Sequence, residues 1–229
     1  MTGQGNYDVD IVLCIDSTGS MGHIIEEVKT NALALHGMID EAMTMEGKDI
    51  ANLRVKVIAF GDYQTDAQPM RESPFYTLPD QSDELSTFVQ GISATGGGDI
   101  PENGFEAIAT AMKSDWIAKQ DGRKRRQVIA IFTDAPALAL GERAGCPGYP
   151  TDLPKTMAEL SAWWEGTDQM MGGTYDPIAG RLIAYVPNDE SWTQLEPWNR
   201  FTPKYTGGKG CEGIDMAEIT DTIVGSFGG

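Results

Sequence analysis

"DIVLCIDSTGSMG" (Asp10–Gly22) begins as an apolar run and ends in an aspartate, three hydroxyls and two glycines. Continuous branched apolar residues without alternation mark a strand buried on both faces, as in a parallel sheet. Three further runs share this character: "LRVKVIAFGD" (53–62), "QVIAIFTD" (127–134) and "RLIAYVP" (181–187). "SPFYTL" (73–78) reads as a short edge strand. "RFTPKYT" (200–206) reads as a weak last strand, confined to an edge by its internal proline.

Helical patterns lie between these runs. Ile25, Val28, Ala32, Leu35, Ile39 and Ala42 recur at three- and four-residue steps and predict one long amphipathic helix. Phe105, Ile108, Ala109, Met112 and Trp116 form a second stripe, and residues 155–166 and 215–227 supply two more helices. Strands alternating with helices predict a doubly wound α/β domain: a mostly parallel central sheet, helices on both faces and one antiparallel edge strand. No repeat or linker composition interrupts the 229 residues, which read as one domain with a core over about 8–227.

The composition, 41% apolar and 22% charged, is that of an ordinary globule. With 17 basic against 34 acidic residues the net charge is −17, which argues against nucleic acid or an anionic membrane as partner. The one basic cluster, "GRKRRQ" (122–127), directly precedes an apolar strand and reads as a solvated gatekeeping loop. No stretch is long and apolar enough to span a bilayer, and the first residues lack the features of a signal peptide, so a cytoplasmic location is expected. Cys14, Cys146 and Cys211 read as free thiols. Residues 135–154 and 166–180 form long loops rich in Gly and Pro, and loops of that length are more often functional than idle.

In an open parallel sheet, ligands bind beyond the carboxyl ends of strands, where neighbouring connections diverge. Asp16 and Asp134 each close an apolar run, and on adjacent strands they would face each other across that crevice. A phosphate cradle would need a lysine-bearing Gly-rich loop, which is missing. A serine nucleophile would need a histidine base, and of the two histidines His36 falls on a helix flank and only His23 lies near the motif. An aspartyl-phosphate site would carry a second acid where Thr18 stands. A divalent cation fits the composition: Asp16, Thr18 and Ser20 alternate and can offer oxygens to one side, as a hard ion such as Mg²⁺ requires. Gly19 and Gly22 are expected to let the backbone turn tightly into the next helix. Asp62 and Asp66 in "GDYQTD" (61–66) read as solvated loop acids, with a place near the crevice as the alternative.

"DSTGSM" after one strand and "FTDAP" closing another resemble a von Willebrand factor type A (vWA) domain over roughly residues 8–227. That family builds a metal-ion-dependent adhesion site from Asp-x-Ser/Thr-x-Ser, a threonine of a second loop and an aspartate of a third. The resemblance implies that Asp16, Thr18, Ser20 and Asp134 hold Mg²⁺ or Mn²⁺, ahead of Ca²⁺. The second loop, "SATGGGDIPENGFEAI" (93–108), departs from the pattern by placing Asp99 at the threonine position, with Thr95 four residues earlier as the alternative. A carboxylate there would make the ion a weaker electrophile, and Asp99 could also cap the following helix. "GGGDxPE" loops are similar to those of some intracellular vWA domains, one of them linked to an atypical kinase. The resemblance implies a non-enzymatic protein-binding module. The cation would complete a surface for a partner's acidic side chain, in a stress-response or defence assembly with an ATPase or kinase component. The alternatives are a metal-dependent hydrolase or phosphoryl-transfer enzyme, for which no clear general base or arginine clamp is visible, and a scaffold whose ion is only structural.

Overall fold

The computed structural model describes residues 6–94, 101–167, 174–206, 211 and 214–228. In chain order the elements are β1 (Asn6–Asp16), α1 (Gly22–Asn31), α2 (Leu35–Met45), β2 (Asp49–Phe60), β3 (Met70–Glu72), β4 (Tyr76–Leu78), α3 (Ser82–Gln90), α4 (Gly104–Met112), β5 (Lys124–Phe132), α5 (Met157–Glu165), β6 (Gly180–Pro187), α6 (Glu190–Thr193), β7 (Phe201–Thr206) and α7 (Met216–Gly225). The four apolar runs become β1, β2, β5 and β6, which pair in parallel. β7 adds in parallel at one edge, so the sheet order is β3-β2-β1-β5-β6-β7, with β4 also on β2. The expected antiparallel edge is two short strands, not one. Ser73 pairs with Val57 through its backbone N–H and its hydroxyl, and Pro74 then breaks the ladder because it has no N–H to donate.

Both sheet faces are covered. Ile24, Ile25, Leu35, Ile39, Leu85, Val89, Met216 and Ile219 bring α1, α2, α3 and α7 onto one face. Phe105, Ile108, Leu160, Trp163, Trp164 and Trp192 bring α4, α5 and α6 onto the other. Each fully buried aliphatic side chain contributes roughly 1.5–3 kcal/mol, which is why continuous apolar strands select this three-layer arrangement.

Several expectations shift in detail. The long helix is broken at residues 32–34, where the Asn31 side-chain amide donates to the Glu27 carbonyl and competes with the helical ladder. Its stripe still points inward on both pieces, with Ile25, Val28, Ala32, Leu35 and Ile39 all buried. Helix α3 was not anticipated. Trp116 lies past the end of α4 yet remains buried. The basic cluster is no solvated loop: Arg123 pairs with Asp8, Arg125 with Asp176, and Arg126 donates to the Phe227 carbonyl, so the cluster ties down the sheet's amino edge. The three cysteines are unpaired, with Cys14 and Cys211 buried. Among the described residues no helix is long and apolar enough to cross a membrane.

Candidate metal centre

β1 and β5 are neighbours, Ile15 beside Phe132, so the chain emerges from both at the same edge. From β1 it passes to α1 on one face, and the next helix after β5, α5, lies on the other. The crevice between them is the switch point of the sheet. Residues 19–21 form a single 3-10 turn anchored by buried Met21, and neither Gly19 nor Gly22 takes a positive φ. The turn therefore does not depend on the conformational freedom expected of those glycines.

The motif folds around Asp16, which is fully buried. Its Oδ1 accepts the Thr18 backbone N–H at 2.8 Å and its Oδ2 accepts the Thr133 hydroxyl at 2.6 Å. Ser20 donates its hydroxyl to Asp134 Oδ1 at 2.9 Å, and the Thr18 and Ser20 hydroxyl oxygens lie 3.4 Å apart. Asp16, Thr18, Ser20 and Asp134 are thus brought into one hydrogen-bonded cluster at the carboxyl edge. Thr95 and Asp99 lie outside the described residues. Helix α4 begins at Gly104 with Asn103 at its N-cap position.

Three features escaped the sequence reading. Thr133, inside "FTDAP", is the residue that orients Asp16. Glu102 is buried and its Oε2 has no hydrogen-bond partner among the described residues. Burial, followed by the charges of Asp16, Asp66, Asp62 and Asp134, pushes Glu102 up to about 8. Burial also raises Asp16 to about 6, with Asp134 adding to the rise and the Thr133 and Thr18 hydrogen bonds opposing it. Asp16, Glu102 and Asp134 make no ion pair among the described residues. The signal for Glu102 was its place three residues after Asp99.

Asp62 is the third feature, and it corrects an expectation. It is fully buried, and both its oxygens accept from Arg143, at 2.8 and 2.9 Å. Asp66 in turn accepts the Asp62 backbone N–H at 2.8 Å. The pair pins the long loop of residues 135–154 against the end of β2. Tyr149 adds a second tie by donating to Glu106 at 2.9 Å. His23 lies 3.3 Å from the Ile214 carbonyl and has no hydrogen bond to Ser17, Thr18 or Ser20 among the described residues. Cys211 is buried close to the cluster, where burial and then the charges of Asp134 and Asp16 push its thiol up to about 12.

Among the described residues no three His, Cys, Asp or Glu side chains converge tightly enough to hold a metal by themselves. The donor set here is mixed, two carboxylates and two hydroxyls, beside a buried carboxylate oxygen with no partner. All-oxygen donors in an uncompensated negative field fit a hard divalent cation.

The sequence profile of the von Willebrand factor A domain matches residues 10–141, more than half of the chain. The chain belongs to the vWA family. Solved structures agree at the level of fold. A pilus adhesin, SpaC, of Lactobacillus rhamnosus GG aligns with 99% of the chain at 11% identity and TM-score 0.52, using 30% of the adhesin chain. A von Willebrand factor type A protein of Catenulispora acidiphila aligns with 96% of the vWA chain at 13% identity and TM-score 0.51, using 43% of its own length. In sequence, an ariadne-like RING finger protein of Acanthamoeba polyphaga mimivirus is 26% identical over 128 residues, 56% of the vWA chain and 11% of that protein. The vWA chain spans less than half the length of each.

Proposed function

We propose that this vWA domain is a protein-binding module whose recognition surface is completed by one divalent cation, Mg²⁺ or Mn²⁺. Asp16, Thr18, Ser20 and Asp134 would hold the ion, with Asp99, or Thr95 in its place, contributing from the second loop. Bound there, the ion supplies a Lewis-acid position for an oxygen ligand. The observation that carries the reading is the convergence of Asp16, Asp134 and two hydroxyls at the switch point, next to buried Glu102 and with no protein cation paired to them among the described residues.

The chain's own residues divide the work. Thr133 and the Thr18 backbone N–H fix the Asp16 carboxylate. Ser20 holds Asp134 in line with the first loop. Arg143 keeps the 135–154 loop seated, so that its outer residues can select the partner. The partner is a protein that presents Asp or Glu at the cation, and we place the module in the cytoplasm, in a stress-response or defence assembly with an ATPase or kinase component. Nucleic acid and membrane are not its targets, and the site serves binding without turnover.

The test is capture of partners by immobilised protein with Mg²⁺, with EDTA, and with Mg²⁺ restored. The proposal expects a specific partner that is lost with EDTA, returns with Mg²⁺ and is not captured by Asp16→Ala. A partner retained equally in EDTA and by Asp16→Ala would overturn it.

A further inference from the structure

A concave pocket of about 290 Å³ lies beside the cation centre, between the end of β2, the start of β3 and the residues after α3. Its apolar part is Ala59 and buried Ile92, which belong to the core under α1 and α3. Asp66 and Arg71 bring opposite charges into it. Ser17, set between Asp16 and Thr18, lines it as well, so the pocket and the proposed cation ligands are neighbours along the chain.

Both charged groups are fixed by backbone. Asp66 Oδ2 accepts the Asp62 backbone N–H at 2.8 Å, and a Cβ at Gly61 would collide with that carboxylate. Arg71, paired with Ala59 across the strands, donates through one Nη to the Gly91 carbonyl after α3. Its guanidinium carbon stands 4.8 Å from the centre of the Phe88 ring, and a Cβ at Gly91 would come within 3.0 Å of its Nη2. Even so, Asp66 and Arg71 make no ion pair among the described residues, with each other or with a third group. Asp66 Oδ1 and the Nε and Nη2 of Arg71 keep their hydrogen-bonding capacity there. A carboxylate entering the pocket would gain Arg71 but be repelled by Asp66 and by nearby Asp16 and Asp134. A cation would gain Asp66 and be repelled by Arg71. A carboxamide avoids both conflicts, because its oxygen can accept from Arg71 while its NH₂ donates to Asp66.

We propose that this pocket sets partner specificity by receiving an Asn or Gln side chain of the partner, within two residues of the acid that meets the cation. Two residues of extended chain span about 7 Å, a reach that suits a pocket reached through Ser17. The pocket has room for one side chain and not for a folded element. Because Asp66 and Arg71 are already held in place, little ordering is needed when the amide enters. This role rests on the cation-completed surface proposed above and adds the class of the residue beside the acid.

The probe is a phage-displayed library of random short peptides, selected on the full chain in Mg²⁺, with the selected peptides resynthesised and their affinities measured in Mg²⁺ and in EDTA. Peptides carrying Asp or Glu with Asn or Gln within two residues are expected. Replacing that amide by Leu, or by the matching acid, should weaken binding roughly tenfold. Two variants separate the pocket from the cation centre: Arg71→Met removes the donors, and Ala67→Phe, at an exposed position lining the pocket, fills it. Each should bind the amide and Leu peptides equally while still needing the acid and Mg²⁺. Binding that depends on the acid and Mg²⁺ but shows no amide preference, or a preference that either folded variant retains, would overturn the pocket and leave the cation centre standing. An amide preference that persists in EDTA and is lost in both variants would support the pocket and count against the cation centre. A selection that yields no specific peptide would overturn the pocket.

Discussion

The two ends of one sheet handle buried carboxylates in opposite ways. At the amino end Asp8 and Asp10 are as buried as Asp16, but each is answered: Asp8 by Arg123 and Asn52, Asp10 by a two-pronged Arg54 and the Ile117 backbone N–H. At the carboxyl end Asp16, Glu102 and Asp134 share one region, and among the described residues only neutral hydroxyls and amides are hydrogen-bonded to Asp16 and Asp134. A fold that pairs Asp8 and Asp10 with arginines gives Asp16 and Asp134 no ion pair among the described residues. The first set of acids secures structure; the second is the set to which the proposed function assigns a cation.

Removing a partner at each end should expose that contrast. Arg54→Ala strands a buried carboxylate and is expected to lower unfolding stability by about 3–5 kcal/mol in a denaturant titration. Arg143→Ala strands Asp62, but loses charged hydrogen bonds to a loop and not to the sheet. It should cost about 1.5–3 kcal/mol and make residues 135–154 the first site of limited proteolysis. Asp16→Asn, measured without divalent ions, should change stability by less than about 1 kcal/mol or raise it, because it removes a buried charge that no cation among the described residues offsets. A loss matching that of Arg54→Ala would place Asp16 with the structural acids.

Glu102 gives the subtlest difference. Its folded value near 8 lies above the ordinary 4.5, so the folded state keeps a proton that the unfolded chain has already released. The stability held through that proton is present at acid pH and lost as pH rises towards 8. Glu102→Gln should flatten this decline in thermal unfolding midpoints measured in EDTA from pH 5 upward. A slope unchanged by the substitution would remove Glu102 from the charged cluster.

Strand identity, order of elements and the pairing of Asp16 with Asp134 were legible because continuous apolar runs and strand-terminal acids are local signals. Helix α3 was just as legible in principle: Leu85, Val89 and Ile92 are all buried and follow acids in its first turn, but Phe88 and the short length weakened the stripe. The bonds from Thr133 to Asp16 and from Arg143 to Asp62 span 117 and 81 residues, and no spacing rule predicts which hydroxyl or guanidinium will arrive there. Asp62 was read as solvated because a loop acid normally is; its charge is answered by an arginine from a distant loop, beside a local bond from the Gln64 backbone N–H. The arginines of "GRKRRQ" were misread for the same reason, since their partners lie in Asp8, Asp176 and Phe227.

The central claim rests on the carboxyl end of the sheet, and calorimetric titration of Mg²⁺, repeated with Mn²⁺, into the metal-free chain tests it most directly. One ion per chain should bind, and Asp16→Ala and Asp134→Ala should each weaken it by about 100-fold or more. Equal binding by Asp16→Ala and the parent protein would contradict a cation centre built on this motif.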